Sequence, residues 1–465
     1  MRAAVAAGHP ATVDAGIEIL EDGGTAADAA VAACLSSCVA ETVMTGLLGG
    51  GHAIYFEARA RRARQLDCFV TVPGLGGTRD NAAIVELAVP FGEELVHYAV
   101  GISTCAVPGL PRGLGELWSA HGRLPWSRLC EPALRLARDG VEMPPAHASC
   151  LAMLAPVMTM DAGARIYSPG GTLLQPGELL QQPGLVPTLE AMATEGAASF
   201  YTGTIAEALL TLMEERGGVV SRDDLSAYSA LWSAPLECGF ASWRILTRRG
   251  ITGVPDAFSR LGRALEPSDA ARALLYVEAL AKLPPDGPPH TTNLTAVDGD
   301  GNACVLTSSL GLGSGDFLPG FDLHLNSMLG EKELLVGATV VVGERMNSMM
   351  APLLAFAAHD PEPVLAAGAA GGTRLRSALV QVVAGVLDEG LSPEDAVARP
   401  RLHPVAPLVH LEPGWSEDAR EALVGRGWRV AQWPERHHYF GGVSVVARDG
   451  AAGDPRRSGA ARTLE

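Results

Sequence analysis

At 465 residues the chain is long enough for two ordinary domains or one large layered unit. Its composition is that of a globular protein, 48% hydrophobic and 19% charged, and its net charge of −17 argues against a nucleic-acid partner, whose phosphates it would repel. No apolar run reaches membrane-spanning length, and the opening MRAAVAAGHP lacks the apolar core of a signal peptide, so a cytoplasmic protein with no membrane contact is expected.

In chain order, residues 12–21 carry the periodicity of an amphipathic helix stopped by Gly23-Gly24. Thr25 with Asp28 has the spacing of an N-cap pair opening an Ala-rich helix over 26–40. Gly49-Gly50-Gly51 leads into an apolar strand, 52–56. No Lys-Ser/Thr or helix start follows, so close backbone approach explains these glycines better than a phosphate loop does. The middle, about 108–230, reads as helices broken by Pro and Gly, including 127–139, 186–195 and a helix opening at Ser221 with acidic first-turn residues. Residues 284–290 (PPDGPPH) are a linker in which neither helix nor central strand persists.

Beyond the linker the pattern turns to β. Residues 292–297 and 302–309 form a hairpin around Asp298–Gly301, which lacks the distant carboxylate of a calcium loop. A Gly-rich loop at 311–315 follows. Later come a strand at 363–367, a loop at 368–372, a helix at 375–388 and a disordered Ala/Gly/Arg tail. The eight scattered cysteines lack the paired spacing of a zinc site and suit buried positions in a reducing compartment. His437-His438 has no acidic or Cys ligands nearby and is expected in a solvated loop, while His324 falls in a strand-like stretch.

A Thr hydroxyl is a weak nucleophile without a base beside it. A Thr at a chain terminus carries one, because its α-amine titrates near pH 8. Such a Thr must be made by cleavage, so it belongs at a strand start just after a flexible linker. Thr291 stands there, although Thr-Thr at a strand start is also ordinary β-propensity.

The segment TTNLTAVDGDGNACVLTSSLGLGSG (291–315) resembles the start of the small subunit of γ-glutamyltranspeptidases. The AADAAVAA run (26–33), Gly49–Gly51, VPGLPRGLGELWSAHGRLPW (107–126), SRDDLSAYSA (221–230), GAAGGTRL (368–375), ARPRLHP (398–404) and GDPRRSGAA (453–461) resemble further landmarks of that family in the same order. The resemblance implies an α+β fold, the four-layer αββα sandwich of the N-terminal-nucleophile hydrolases. It also implies a precursor cut into 1–290 and 291–465, whose two fragments remain together as one structural unit and need no metal or other cofactor. Thr291 matches the nucleophile, Ser309 a supporting Thr, and Gly371 and Gly372 the N–H pair that stabilises the oxyanion, where glycine permits close backbone approach.

The family's substrate-binding positions depart from the pattern. Its carboxylate-binding Arg is matched by Phe69 and its donor-binding Asn by Gly311. The Gln/Glu and Asp of its acidic segment are matched by Met328 and Glu331, its Ser-Ser-Met run by Ser348-Met349-Met350, and the His after Thr-Thr by Asn293. The landmark region at about 245–285 is much shortened. Phe cannot replace a bidentate Arg, so γ-glutamyl recognition is expected to be lost while the nucleophile is kept. The chain is similar to divergent members of the family that serve 4-alkylproline antibiotic biosynthesis. Its expected partner is a specialised small molecule, attacked by amide hydrolysis, acyl transfer or cleavage of a C–C bond beside a carbonyl. An ordinary γ-glutamyl transferase and a catalytically silent binding protein are the alternatives.

Overall fold

The hairpin expected at 292–309 lies at the centre of a seven-stranded sheet. The computed structural model describes residues 1–77, 84–91, 94–263, 265–266, 268–281, 291–335, 340–372 and 374–464; the linker at 284–290 falls outside them. The first sheet runs Ala460–Thr463, Ala4–Ala7, Thr292–Val297, Ala303–Ser309, Gly50–Glu57, Arg62–Cys68, Leu231–Ser233. A second, six-stranded sheet runs Gly450–Gly453, Gly442–Ala447, Pro363–Ala370, Leu353–Ala357, Trp243–Thr247, Leu236–Phe240. Every pairing in both is antiparallel.

Alternation along the strands sorts their side chains into layers. Ile54, Phe56, Val297 and Val305 of the first sheet meet Leu246, Leu354, Phe356 and Val446 of the second in a dry interlayer, with the Phe56 and Phe356 rings edge to face at 5.8 Å. Side chains of the opposite face, such as Tyr55, Leu294 and Leu306, pack with the helices Pro10–Glu21, Ala26–Ala40 and Trp126–Asp139. Ile245, Leu365 and Val445 of the second sheet pack with Val254–Leu261, Asp269–Leu280 and Arg374–Leu387. The order helix, sheet, sheet, helix gives the expected four layers.

Local chemistry places the main elements. Thr25 and Asp28 form the reciprocal capping box, and the helix they open is buried over all fifteen residues. Ser221 and Asp224 form a second box. The three glycines at 49–51 answer to close approach: a Cβ on Gly49 would sit 2.1 Å from Ser309 O, and one on Gly51 2.5 Å from Thr307 O. The Asp298 turn is a hairpin turn, its carboxylate accepting from Asp300 N, Asn302 N and, across the layer, Ala26 N at 2.8 Å.

Four expectations need correction. The first helix starts at Pro10, capped by His9 Nδ1 accepting from Ala11 N, because Pro is tolerated at the first helical position. The strand expected at 363–367 runs to Ala370, so the loop begins only at Gly371. His438 is buried, and His437 accepts from Tyr439 N in a short turn with its ring 4.9 Å from that of Trp433, so this pair is not a solvated loop. The tail is ordered: Ala460–Thr463 pairs with Ala4–Ala7, and the turn before it is pinned by buried ion pairs of Arg401 with Asp454 at 2.5 Å and of Arg456 with Glu412 at 2.5 Å. Main-chain pairing and buried charge hold the tail, and neither leaves an apolar pattern in AARTLE. All eight cysteines are free and all but Cys238 are buried. Among the described residues no helix is long and apolar enough to cross a membrane.

Near the nucleophile candidate the two sheets are bridged by polar groups as well. Ser444 Oγ donates to Asn293 O at 2.9 Å and Thr295 Oγ1 to Ser444 O at 3.1 Å. Opposite, a Cβ on Gly368 would fall 2.0 Å from the Asn293 side chain, so glycine there leaves the space that Asn293 fills. Gly368→Ala is expected to cost about 1–3 kcal/mol by overpacking. Chemical denaturation of the Gly368→Ala/Asn293→Ala pair should recover most of that loss, whereas additive losses would show that the two positions do not compete for space.

Candidate active site

Thr291 immediately precedes the central Thr292–Val297 strand and is 6% exposed. It lines a small cavity of about 30 Å³ at the end of the first sheet. Of the positions singled out from sequence, Phe69, Thr291, Ser309, Met328, Glu331, Ser348, Met349, Met350 and Gly372 line this cavity. Gly311 and Gly371 adjoin it. Gly311 N donates to Ser309 Oγ at 3.0 Å, and Gly371 shares the turn of Gly372.

Each wall follows from its element. Ser309 ends the Ala303–Ser309 strand, paired with Gly50. The Gly371-Gly372 turn, with φ of +133° and +57°, connects the Pro363–Ala370 strand to the Arg374–Leu387 helix. A Cβ on Gly371 would meet Gly441 Cα at 2.8 Å. The positive end of that helix dipole therefore faces the cavity beside Thr291, an environment that favours developing negative charge.

Phe69 is anchored from behind. Its carbonyl accepts from Tyr228 Oη at 2.7 Å and from Arg345 Nη1 at 2.5 Å, and its ring stacks on His52 at 5.5 Å. Burial drives the His52 pKa down to about 3, so this imidazole is neutral packing. Arg248, buried, donates to Ser348 O at 2.7 Å and Met350 O at 3.3 Å and so holds the facing wall by its backbone. Leu334, Met350 and Leu375 complete the apolar lining, and no Arg, Lys or His is among the described lining residues. Gly311 and Glu331 are coupled: a Cβ on Gly311 would lie 2.6 Å from Glu331 Oε1, so a side chain at 311 and this carboxylate position exclude each other. His324 lies apart, accepting from Gly315 N and stacked on Phe317. Among the described residues no cluster of three or more His, Cys, Asp or Glu could hold a metal.

On its other side Thr291 borders a second, smaller cavity of about 10 Å³, also lined by Glu41, His147, Asp454 and Arg457. Sequence reasoning missed this group. The one signal was an acidic residue, Glu41, directly following a helix with no exposed position. Glu41 accepts from Thr12 Oγ1 at 2.7 Å and from Thr292 Oγ1. Burial pushes its pKa up to about 7, against the opposing pull of the two hydroxyls and Arg457.

Stacked antiparallel sheets covered by helices, with a Thr at the head of a central strand against an enclosed cavity, define the N-terminal-nucleophile hydrolase fold. The chain belongs to the gamma-glutamyltranspeptidase family, whose model matches residues 12–253 and 260–464. It is 27% identical to the acylase ACY 1 proenzyme of Pseudomonas sp. (strain V22), over 96% of this chain and 90% of that protein. It is 25% identical to the glutathione hydrolase proenzyme of Escherichia coli (strain K12), over 91% and 86%. Among solved structures, cephalosporin acylase from Bacillus halodurans matches with a TM-score of 0.84 and 22% identity, covering 100% of this chain and 96% of that one. The protein LmbA matches with a TM-score of 0.81 and 21% identity, covering 100% and 98%.

The raised Glu41 pKa has a consequence for stability. A carboxyl whose folded pKa exceeds its unfolded value of about 4.5 contributes fully below that value, and the contribution is lost as pH rises through about 7. In a Thr291→Ala background, Glu41→Gln should gain on its parent by about 3 kcal/mol between pH 4 and pH 8. Denaturant unfolding at the two pH values measures this, and an unchanged difference would contradict the burial argument.

Proposed function

We propose that the chain is a self-cleaving Thr-nucleophile amidohydrolase, cut between His290 and Thr291, that removes a largely apolar acyl group lacking the glutamyl α-carboxylate. The carrying observation is the lining of the Thr291 cavity: Phe69, Met328, Met349, Met350, Leu334 and Leu375 surround the Thr, with no cation among the described lining residues to receive a carboxylate. A carboxylate enclosed there would lose its hydration without a bidentate partner, at a cost of several kcal/mol. Glu331 suits a hydrogen-bond donor on the substrate.

In this reading the Thr291 hydroxyl attacks the substrate carbonyl while the free α-amine of Thr291 accepts its proton. The N–H groups of Gly371 and Gly372, at the helix N-terminus, stabilise the tetrahedral oxyanion. Collapse expels the amine, which takes that proton from the α-ammonium as it leaves, and gives an ester on Thr291 Oγ that water then hydrolyses. Amide hydrolysis is favoured over C–C cleavage by the full-length similarity to an acylase proenzyme. C–C cleavage would use the same attack but demands a substrate-stabilised carbanion as leaving group.

On a denaturing gel the wild-type chain should resolve into 1–290 and 291–465, and Thr291→Ala should remain one band. Purified enzyme should hydrolyse medium-chain N-acyl anilides and leave γ-glutamyl anilide at background. An uncut wild-type chain would overturn the self-cleavage, and γ-glutamyl turnover above that of the apolar acyl series would overturn the pocket assignment.

A further inference from the structure

Self-cleavage poses a problem that the hydrolase reading leaves open. In the mature enzyme the base is the α-amine of Thr291, but in the uncut chain that nitrogen is an amide and has no basicity to offer. Another group must take the hydroxyl proton during the first reaction. The substrate-side cavity offers the Glu331 carboxylate, whereas the small cavity on the opposite side of Thr291 offers a carboxylate together with a route for the proton.

That cavity has space for the centre of about one water molecule. Its polar rim is complementary. Glu41 supplies a buried acceptor, anchored through the hydroxyl of the very next residue, Thr292, and through Thr12. Arg457, 4% exposed, supplies donors: its Nη1 reaches Met44 Sδ at 3.1 Å, while Nε and Nη2 have no hydrogen-bond partner among the described residues. Nη2 also lies 3.6 Å from the position a Cβ would take on Gly371, which links this rim to the turn beside the nucleophile. A water held between Arg457 and Glu41 has the two to four polar partners that a buried water needs.

Resting on the self-cleavage reading, we infer that Glu41, acting through a water in this cavity, is the base that starts the chain's own cleavage and is not the base of substrate turnover. The Thr291 Oγ–H proton passes through the water to Glu41 as Oγ bonds to the His290 carbonyl carbon. Glu41 then returns the proton to the Thr291 nitrogen as the C–N bond breaks, giving an ester between His290 and Thr291 Oγ and a free amine. Water hydrolyses the ester to the His290 carboxyl group and the Thr291 hydroxyl. No oxidant or external group is consumed, and Glu41 ends as it began.

The groups facing Glu41 leave it as the one that changes charge near neutrality. Burial lowers the pKa of His147, on the helix Pro145–Met158, to about 3 and that of His9, beside it, to about 4, so both are neutral. Asp454 is buried, and its ion pairs with Arg401 and Arg456 hold it below the usual carboxylate range. Arg457 is lowered by burial yet remains a cation, and Thr12 and Thr292 do not titrate. Cleavage should therefore accelerate as pH rises through about 7 and then level off. His290, on the other side of the scissile bond, is the competitor for this behaviour, because imidazole is a side chain whose reference value also lies near neutrality.

The test is a pulse-chase of the full-length chain made by cell-free synthesis, with the labelled precursor shifted to buffers from pH 5.5 to 8.5. The wild-type rate should rise about thirtyfold across this range. Glu41→Gln, which keeps the shape and an acceptor for the two hydroxyls, should be slowed about 10²–10⁴-fold at pH 8 with a flat profile. His290→Gln should keep the rise, and Glu41→Asp should regain part of the rate with its pH dependence. Glu41→Gln cleaving at the wild-type rate, or His290→Gln alone abolishing the rise, would overturn the assignment to Glu41 while leaving Thr291 in place. A wild-type precursor that never cuts overturns the parent reading instead. If Glu41→Gln does not fold, by circular dichroism, the wild-type profile decides: a rate constant with pH overturns the inference.

Discussion

The Thr292–Val297 strand is paired along both edges, with Ala4–Ala7 on one side and Ala303–Ser309 on the other. A strand so held keeps its register whether or not the chain is continuous ahead of it. Its interlayer face meets the second sheet, where Asn293 fills the space left by Gly368 and accepts a hydrogen bond from Ser444 Oγ at its main-chain carbonyl. A break before Thr291 would therefore cost no ladder bond of this strand, and the hydroxyl would remain where the sheets put it. Positional precision at the site derives from the sheets and not from the linker.

The cavity in front of Thr291 and the one behind it differ in chemistry for reasons that are local. In front, Met and Leu side chains close over Phe69, which is held by hydrogen bonds to its backbone and by its ring stacking on His52. Such a wall adapts easily, because thioethers repack at small cost. Behind, the lining is built from helix caps and a charged turn, with Glu41, Asp454 and Arg457 all buried. Groups of that kind tolerate little substitution, since each removed partner strands another without solvation.

Much of this was legible from residue order. Capping boxes at Thr25 and Ser221, the glycine run at 49–51 and the hairpin at 292–309 each carry a local rule that the tertiary structure obeys. The substrate-side positions were legible only through family resemblance, because Phe69, Ser309, Met328 and Ser348 are far apart in sequence and share no periodicity. Of the cavity behind Thr291, residue order offered only Glu41 directly after an Ala-rich helix. The members of that cavity come from a helix terminus, a second helix and the last turn of the chain, and only a folded sheet brings Glu41 to Arg457. The tail was misread for a related reason: a four-residue edge strand is specified by the strand it joins.

That edge strand has an engineering meaning. Ala460–Thr463 runs antiparallel beside Ala4–Ala7, and Leu464 N donates to Ala3 O at 2.8 Å, so the two ends of the described chain lie side by side. A tight turn is enough to join such neighbours. A circularly permuted chain, closed there and opened before Thr291, would be synthesised with this Thr near its first position, and the cleavage proposed above would have no internal bond left to break.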